Sequence, residues 1–129
     1  MGVDPNRVSL LVAVLEKKAG LNLLNQDIFL NVAGGVRIDE PAVDLGIAAA
    51  LAGSFLDRAI SAQTVLFGEV GLTGEIRAVS QSLLRVREAQ KLGFTRCLLP
   101  KNNLEQTPKN PAMELIGIGF LQECLGILF

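Results

Sequence analysis

Residues 39–56 read Asp39-Glu40-Pro41-Ala42-Val43-Asp44-Leu45-Gly46-Ile47-Ala48-Ala49-Ala50-Leu51-Ala52-Gly53-Ser54-Phe55-Leu56, and their pattern decides the fold. Two carboxylates and a proline open the stretch, where acidic side chains favour a helix N-terminus and proline fits the first helical position. From there to about Leu56 nothing breaks a helix. Ala42, Ala48, Ala49, Ala50 and Ala52, with Gly46 and Gly53, give it a slim surface, so a sheet or a second helix can approach closely. The spacing predicts a central core helix.

On the N-terminal side, Asp4-Pro5 is an acidic N-cap followed by proline, and Gly20 is a stop after Glu16-Lys17-Lys18, so a helix is expected over residues 5–19. Its apolar residues, Val8, Leu11, Val12 and Leu15 with Leu10 and Val14, lie on more than one side, which predicts packing on two faces. Residues 27–33 and 36–38 read as short strands separated by Gly34-Gly35. On the C-terminal side, 64–67 and 75–79 read as strands, and Gly68, Gly71 and Gly74 between them predict a hairpin with positive-φ positions. Ser80 is the expected cap of a helix ending near Leu92, stopped by Gly93. A strand at 96–99, a helical turn within 102–106, a loop over 107–111, a strand at 114–118 and a helix opened by Gly119-Phe120 complete the chain. Helices alternate with strands, giving an α/β class, while the glycine-rich hairpin argues against a purely parallel sheet.

A chain of 129 residues, half of them hydrophobic, is the length of one domain and can bury a core. Its longest apolar stretches, Val8 to Leu15 and Leu45 to Leu56, fall short of the ~20 residues that cross a bilayer, and no signal-like start is present. A soluble cytoplasmic protein without membrane contact is expected. Cys97 and Cys124 lie in apolar segments and read as buried free thiols of a reducing compartment. There is no histidine, which excludes Ser-His-Asp and Cys-His catalysis, and two distant cysteines make no zinc site. No GxxxxGK[ST] loop is present to cradle nucleotide phosphates.

Charge is distributed unevenly. Arg77, Arg85, Arg87, Lys91, Arg96 and Lys101 face only Glu88 within residues 77–101, net +5, while the remainder is net −6. A near-neutral protein with this asymmetry can present a cationic face to phosphate. Arg87 and Lys91 are four apart and share one side of their helix, whereas Arg85 points elsewhere. With no tyrosine or tryptophan to stack on bases, DNA contact would run through the backbone and ignore sequence; a solvated helix surface is the competing reading. Asp39, Glu40 and Asp44 are expected to cap a helix, with Asp44 able to pair with Arg37, rather than to form a metal or acid–base cluster.

Several ordered blocks resemble one family. Asn6-Arg7 with Leu10-Leu11-Val12-Ala13-Val14-Leu15-Glu16-Lys17, Asn31-Val32-Ala33-Gly34-Gly35-Val36-Arg37, Asp39-Glu40-Pro41-Ala42-Val43-Asp44-Leu45, and Gly68-Glu69-Val70-Gly71-Leu72 with Gly74-Glu75-Ile76-Arg77 are similar to Lon-type serine-lysine peptidase domains. Within that group they most resemble the C-terminal domain of the RadA (Sms) family of bacterial DNA repair ATPases. The resemblance covers the chain to about Asn103. It implies a ribosomal-protein-S5 domain 2-like, Lon-type α/β fold with a mixed sheet and packed helices. It also implies that residues 1–129 are a single Lon-like domain of a longer chain, whose zinc finger, RecA-type ATPase domain and first strands of this domain are absent here.

The resemblance also locates a site. In Lon-type peptidases the nucleophilic serine follows a stretch that aligns with Ile38-Asp39-Glu40-Pro41, which puts Ala42 at its position; counting back from Ala89 and Gly93 puts the lysine at Leu83. A methyl and an isobutyl group cannot attack a carbonyl or take a proton. Ser80 and Ser82 are nearby but read as a cap and a helix-surface hydroxyl. The expectation is therefore a non-enzymatic scaffold of a DNA repair and recombination ATPase. It would support a homo-oligomeric, hexameric ring and bind DNA through Arg77, Arg85, Arg87, Lys91 and Arg96, with ATP and zinc held only by the missing domains. A purely structural oligomerisation module and a weak serine peptidase remain as alternatives.

Overall fold

A computed structural model describes residues 4–22, 40–109 and 111–129. The strands expected at 27–33 and 36–38, and Arg37 and Asp39, lie outside them. Helix α1 (Pro5–Ala19) begins as expected: the Asp4 carboxylate accepts from the Asn6 amide at 3.0 Å, and Gly20 closes the helix at φ 72. A 3₁₀ turn (Pro41–Val43) leads directly into α2 (Asp44–Leu56). Then come β1 (Thr64–Leu66), β2 (Glu69–Val70), β3 (Ile76–Arg77), α3 (Ser82–Lys91), β4 (Arg96–Pro100), α4 (Lys101–Leu104), β5 (Glu114–Ile118) and α5 (Leu121–Leu128).

The strands form a parallel sheet in the order β1-β4-β5 and a separate antiparallel pair, β2 with β3. The architecture is α/β. Alternate residues of the central strand β4 point to opposite faces: Leu98 joins Leu11, Leu15, Leu45, Ala48 and Ala52 of α1 and α2 and Leu121 and Cys124 of α5 in one core. Cys97 and Leu99 join Val86 and Ala89 of α3, with Phe67 and Met113, in the other. A sheet covered on both faces requires a continuous apolar run, and Cys97-Leu98-Leu99 supplies it. Helix α1 packs against both α2 and α5, in keeping with its two apolar sides.

The slim helix α2 does what its composition implies. Ala48, Ala49 and Ala52 are fully buried, and a Cβ at Gly53 would lie 2.8 Å from the Arg58 carbonyl and 3.0 Å from the Phe129 ring. Among the described residues no helix is long and apolar enough to cross a membrane.

Two expectations need correction. The glycine hairpin does not join 64–67 to 75–79: it joins Glu69–Val70 to Ile76–Arg77, while β1 runs parallel to β4. Gly68 is the reason. At φ 155 it turns the chain out of β1, its amide donates to the Ala42 carbonyl at 2.8 Å, and its carbonyl accepts from Leu45 N–H at 3.0 Å. A Cβ there would sit 2.8 Å from the Ile76 side chain. Nor does Ser80 cap α3. The preceding residue of that helix is Gln81, at φ 58 and without a side-chain cap, and the Ser80 carbonyl instead accepts from Arg85 Nε at 2.9 Å.

Both cysteines are free and buried, and burial pushes each thiol from 9.0 up to about 12. The folded protein therefore retains protons that the unfolded chain loses between pH 9 and 12, so this contribution to stability falls as pH rises through that window. A disulfide-based thiol reagent at pH 8 should label neither cysteine until denaturant unfolds the chain; rapid labelling of the native protein would contradict the packing described.

Candidate functional site

The segment carrying Ala42 is held by one buried carboxylate. Asp44, at the start of α2, has no exposed surface. Its Oδ1 accepts from Arg7 Nε of α1, and its Oδ2 accepts from Arg7 Nη2 at 2.6 Å and from the Val70 amide of β2 at 3.1 Å. Arg7 Nη2 also lies 3.7 Å from Glu69. This planar fork on both oxygens is a geometry that lysine cannot reproduce. The hydrogen bond to Asp44 is the largest influence on the Arg7 guanidinium and holds its pKa above the ordinary value. Sequence reading offered Arg37 as the partner of Asp44; the structure gives Arg7, 37 residues away and visible only once α1 crosses α2.

Next to this clamp, the Ala42 methyl is buried and its carbonyl is taken by Gly68. Helix α3 approaches the same segment, but through Arg85. Its guanidinium pairs with Glu40, donates to the Ser80 carbonyl at 2.9 Å, and stands 6.0 Å above the Phe67 ring. Leu83, two residues earlier, is about 200° round the helix from Arg85 and is exposed. The two positions aligned with a serine-lysine dyad thus differ in setting, Ala42 buried and Leu83 exposed. Ser82 is no surface hydroxyl: it is buried and bonded at 2.7 Å to Thr107 Oγ1, which donates to the Asn103 carbonyl at 2.7 Å. Asn103 completes the network by bonding both main-chain groups of Val79, at 2.8 and 3.0 Å.

A family model described as "Subunit ChlI of Mg-chelatase" matches residues 6–103 of this chain. The chain belongs to this family. It is also similar to DNA repair protein RadA of Halalkalibacterium halodurans, with 52% identity over 126 residues, 98% of this chain and 28% of that protein. RadA of Bacillus subtilis is 52% identical over 124 residues, 96% of this chain and 27% of that protein. RadA of Streptococcus pneumoniae is 49% identical over 128 residues, 99% of this chain and 30% of that protein. The kinship with RadA read from the sequence blocks is borne out, and it extends beyond Asn103 to nearly the whole chain. The chain spans less than a third of the length of these relatives.

The basic residues of this RadA relative divide by environment. Arg85 is committed to Glu40 and Phe67, with a quarter of its side chain exposed. Arg96, at the start of β4, is half-buried, 3.8 Å from Glu114. Arg77 on β3 is more than half exposed and 3.3 Å from Glu75. Arg87 and Lys91 are exposed on one side of α3, Lys91 lying 3.4 Å from Glu88. The structure therefore brings Arg87 and Lys91 together, places Arg85 on the opposite side of the helix, and tucks Arg96 against the sheet. Among the described residues no three His, Cys, Asp or Glu side chains converge to hold a metal ion.

Removing Arg7 leaves the buried Asp44 carboxylate without its partner, a loss of about 3–5 kcal/mol for a broken buried pair. Arg7→Ala should therefore lower the urea midpoint severely, and Arg7→Lys, which keeps charge without the fork, should lower it less. Equal midpoints for wild type and Arg7→Ala would remove the clamp from the account. Arg85→Ala, by contrast, should lower the midpoint by about 1 kcal/mol equivalent, the scale of a partly exposed pair with one hydrogen bond.

Proposed function

We propose that this chain is a non-catalytic Lon-like domain of a RadA-type DNA repair ATPase, one that supports assembly of the longer protein into a ring and holds DNA without reading its sequence. The observation that carries the non-catalytic part is the state of the lysines. A serine-lysine peptidase needs an amine kept neutral by burial within hydrogen-bond reach of a hydroxyl. All five lysines, Lys17, Lys18, Lys91, Lys101 and Lys109, are exposed, and the buried hydroxyl of Ser82 is bonded to Thr107. The similarity to RadA proteins over nearly the whole chain supports the repair context. The alternation of α1, α2, the antiparallel pair and the parallel sheet with the order of the sequence blocks supports the Lon-type topology.

For DNA, the exposed cations Arg77, Arg87 and Lys91 fit phosphate contact better than Arg85, which is held by Glu40 and the Ser80 carbonyl, and Arg96, which is half-buried 3.8 Å from Glu114. Each phosphate neutralised steepens the log-log dependence of affinity on salt by about 0.9. Titrating a fluorescent duplex at several salt concentrations should show binding that weakens steeply with salt. Arg87→Ala with Lys91→Ala should reduce the slope by about 2, while Arg85→Ala leaves it unchanged. Absence of binding at low salt, or a slope insensitive to the double change, would favour a purely structural module.

A further inference from the structure

At the end of the parallel sheet where its strands begin, two buried polar atoms stand without a hydrogen-bond partner among the described residues: Thr64 Oγ1 and Arg96 Nε. They are neighbours by construction. Thr64 opens β1, Arg96 opens β4, and the two are paired in register between parallel strands. Residues so paired put their side chains on the same face, on strands about 4.8 Å apart. Leu98, two residues along β4, lies on that face too, so both side chains sit on the side covered by α1, α2 and α5. The charge of Arg96 is felt at Cys124 of α5, which agrees with this placement.

Thr64 is only 7% exposed, and a buried hydrogen-bonding group without a partner is unfavourable unless a ligand, an ion or a water takes it. Arg96 keeps 30% of its side chain exposed, which leaves a way in from solvent. Glu114 of β5 is paired in register with Arg96 on the other flank, but its carboxylate stands 3.8 Å from Nε, too far for a hydrogen bond, and is 67% exposed. The Nε–H is therefore unused. A hydroxyl that can donate beside a planar, positively charged fork selects a ligand that is negative and rich in acceptors. A cation would meet the guanidinium charge, and a neutral ligand would leave that charge without a close counterion.

We propose that Thr64 and Arg96 together bind a small oxyanion, phosphate or carboxylate, at this end of the sheet. The site lies on the opposite face of the sheet from α3 and is separate from the DNA contact proposed above.

The thermal midpoint of the chain, followed in inorganic phosphate, acetate and chloride at matched ionic strength, reads this site. A ligand that binds only the folded state raises the midpoint with the logarithm of its concentration. Phosphate or acetate should raise it above the chloride value, and the more effective of the two identifies the oxyanion that the pair takes. Arg96→Met should abolish the rise. Thr64→Val, which keeps the shape of the side chain and removes the hydroxyl, should weaken the apparent affinity about tenfold, the scale of one hydrogen bond to a charged group. Glu114→Gln removes the competing carboxylate and should enlarge the rise, whereas Arg87→Ala on α3 should leave it unchanged. If Arg96→Met does not fold, the conservative changes at Thr64 and Glu114 decide the matter. Equal midpoints in all three salts, a rise undiminished in Thr64→Val, or one that disappears in Arg87→Ala would overturn the site.

Discussion

The structure depends on one buried charge. Asp44 is out of water at the head of the central helix, and burying a lone carboxylate would be prohibitively unfavourable. Three elements must meet for its oxygens to be satisfied: α1 brings the Arg7 fork, β2 brings the Val70 amide, and α2 brings the carboxylate itself. The clamp therefore fixes where the N-terminal helix crosses the core helix and where the hairpin starts. From that position follow the pinning of Gly68 between Ala42 and Leu45 and the projection of the Gly71–Gly74 loop.

In the Lon-like reading proposed above, that same segment is where a peptidase would keep its nucleophile. Here a buried methyl occupies the position, and the neighbouring helix offers the Arg85 guanidinium. Arg85 is bound by Glu40 and by the Ser80 carbonyl over the face of Phe67, so it ties the segment to α3. A cleft of about 460 Å³ persists beside it, lined by Glu40, Ser80, Gln81, Leu84, Arg85 and Glu88, and nothing in that lining pairs a hydroxyl with a neutral amine.

Much of the architecture was legible because it is written in local signals. Asp4-Pro5 and Gly20 bound α1, Arg96 to Leu99 and Glu114 to Ile118 read as apolar strands, and the small residues of 42–53 marked the core helix. The failures are equally physical. Whether the strand before Gly68 or the one after it enters the hairpin depends on hydrogen bonds to Ala42 and Leu45, which no window around residue 68 contains. Arg7 and Asp44 are separated by 37 residues, so their pairing was hidden although both residues stood in recognised blocks. For the candidate site, charge counting found the basic stretch but could not tell an arginine on an open helix face from one paired with Glu40 over the Phe67 ring.

The central claim is that a peptidase-like scaffold persists here without hydrolytic chemistry. Its most direct test is turnover of casein and of fluorogenic peptides by the purified chain, compared with Ser80→Ala and Ser82→Ala variants shown to be folded. The account predicts that any turnover is at the level of contaminants and identical in all three proteins. Turnover that scales with the amount of chain and disappears in either serine variant would contradict it.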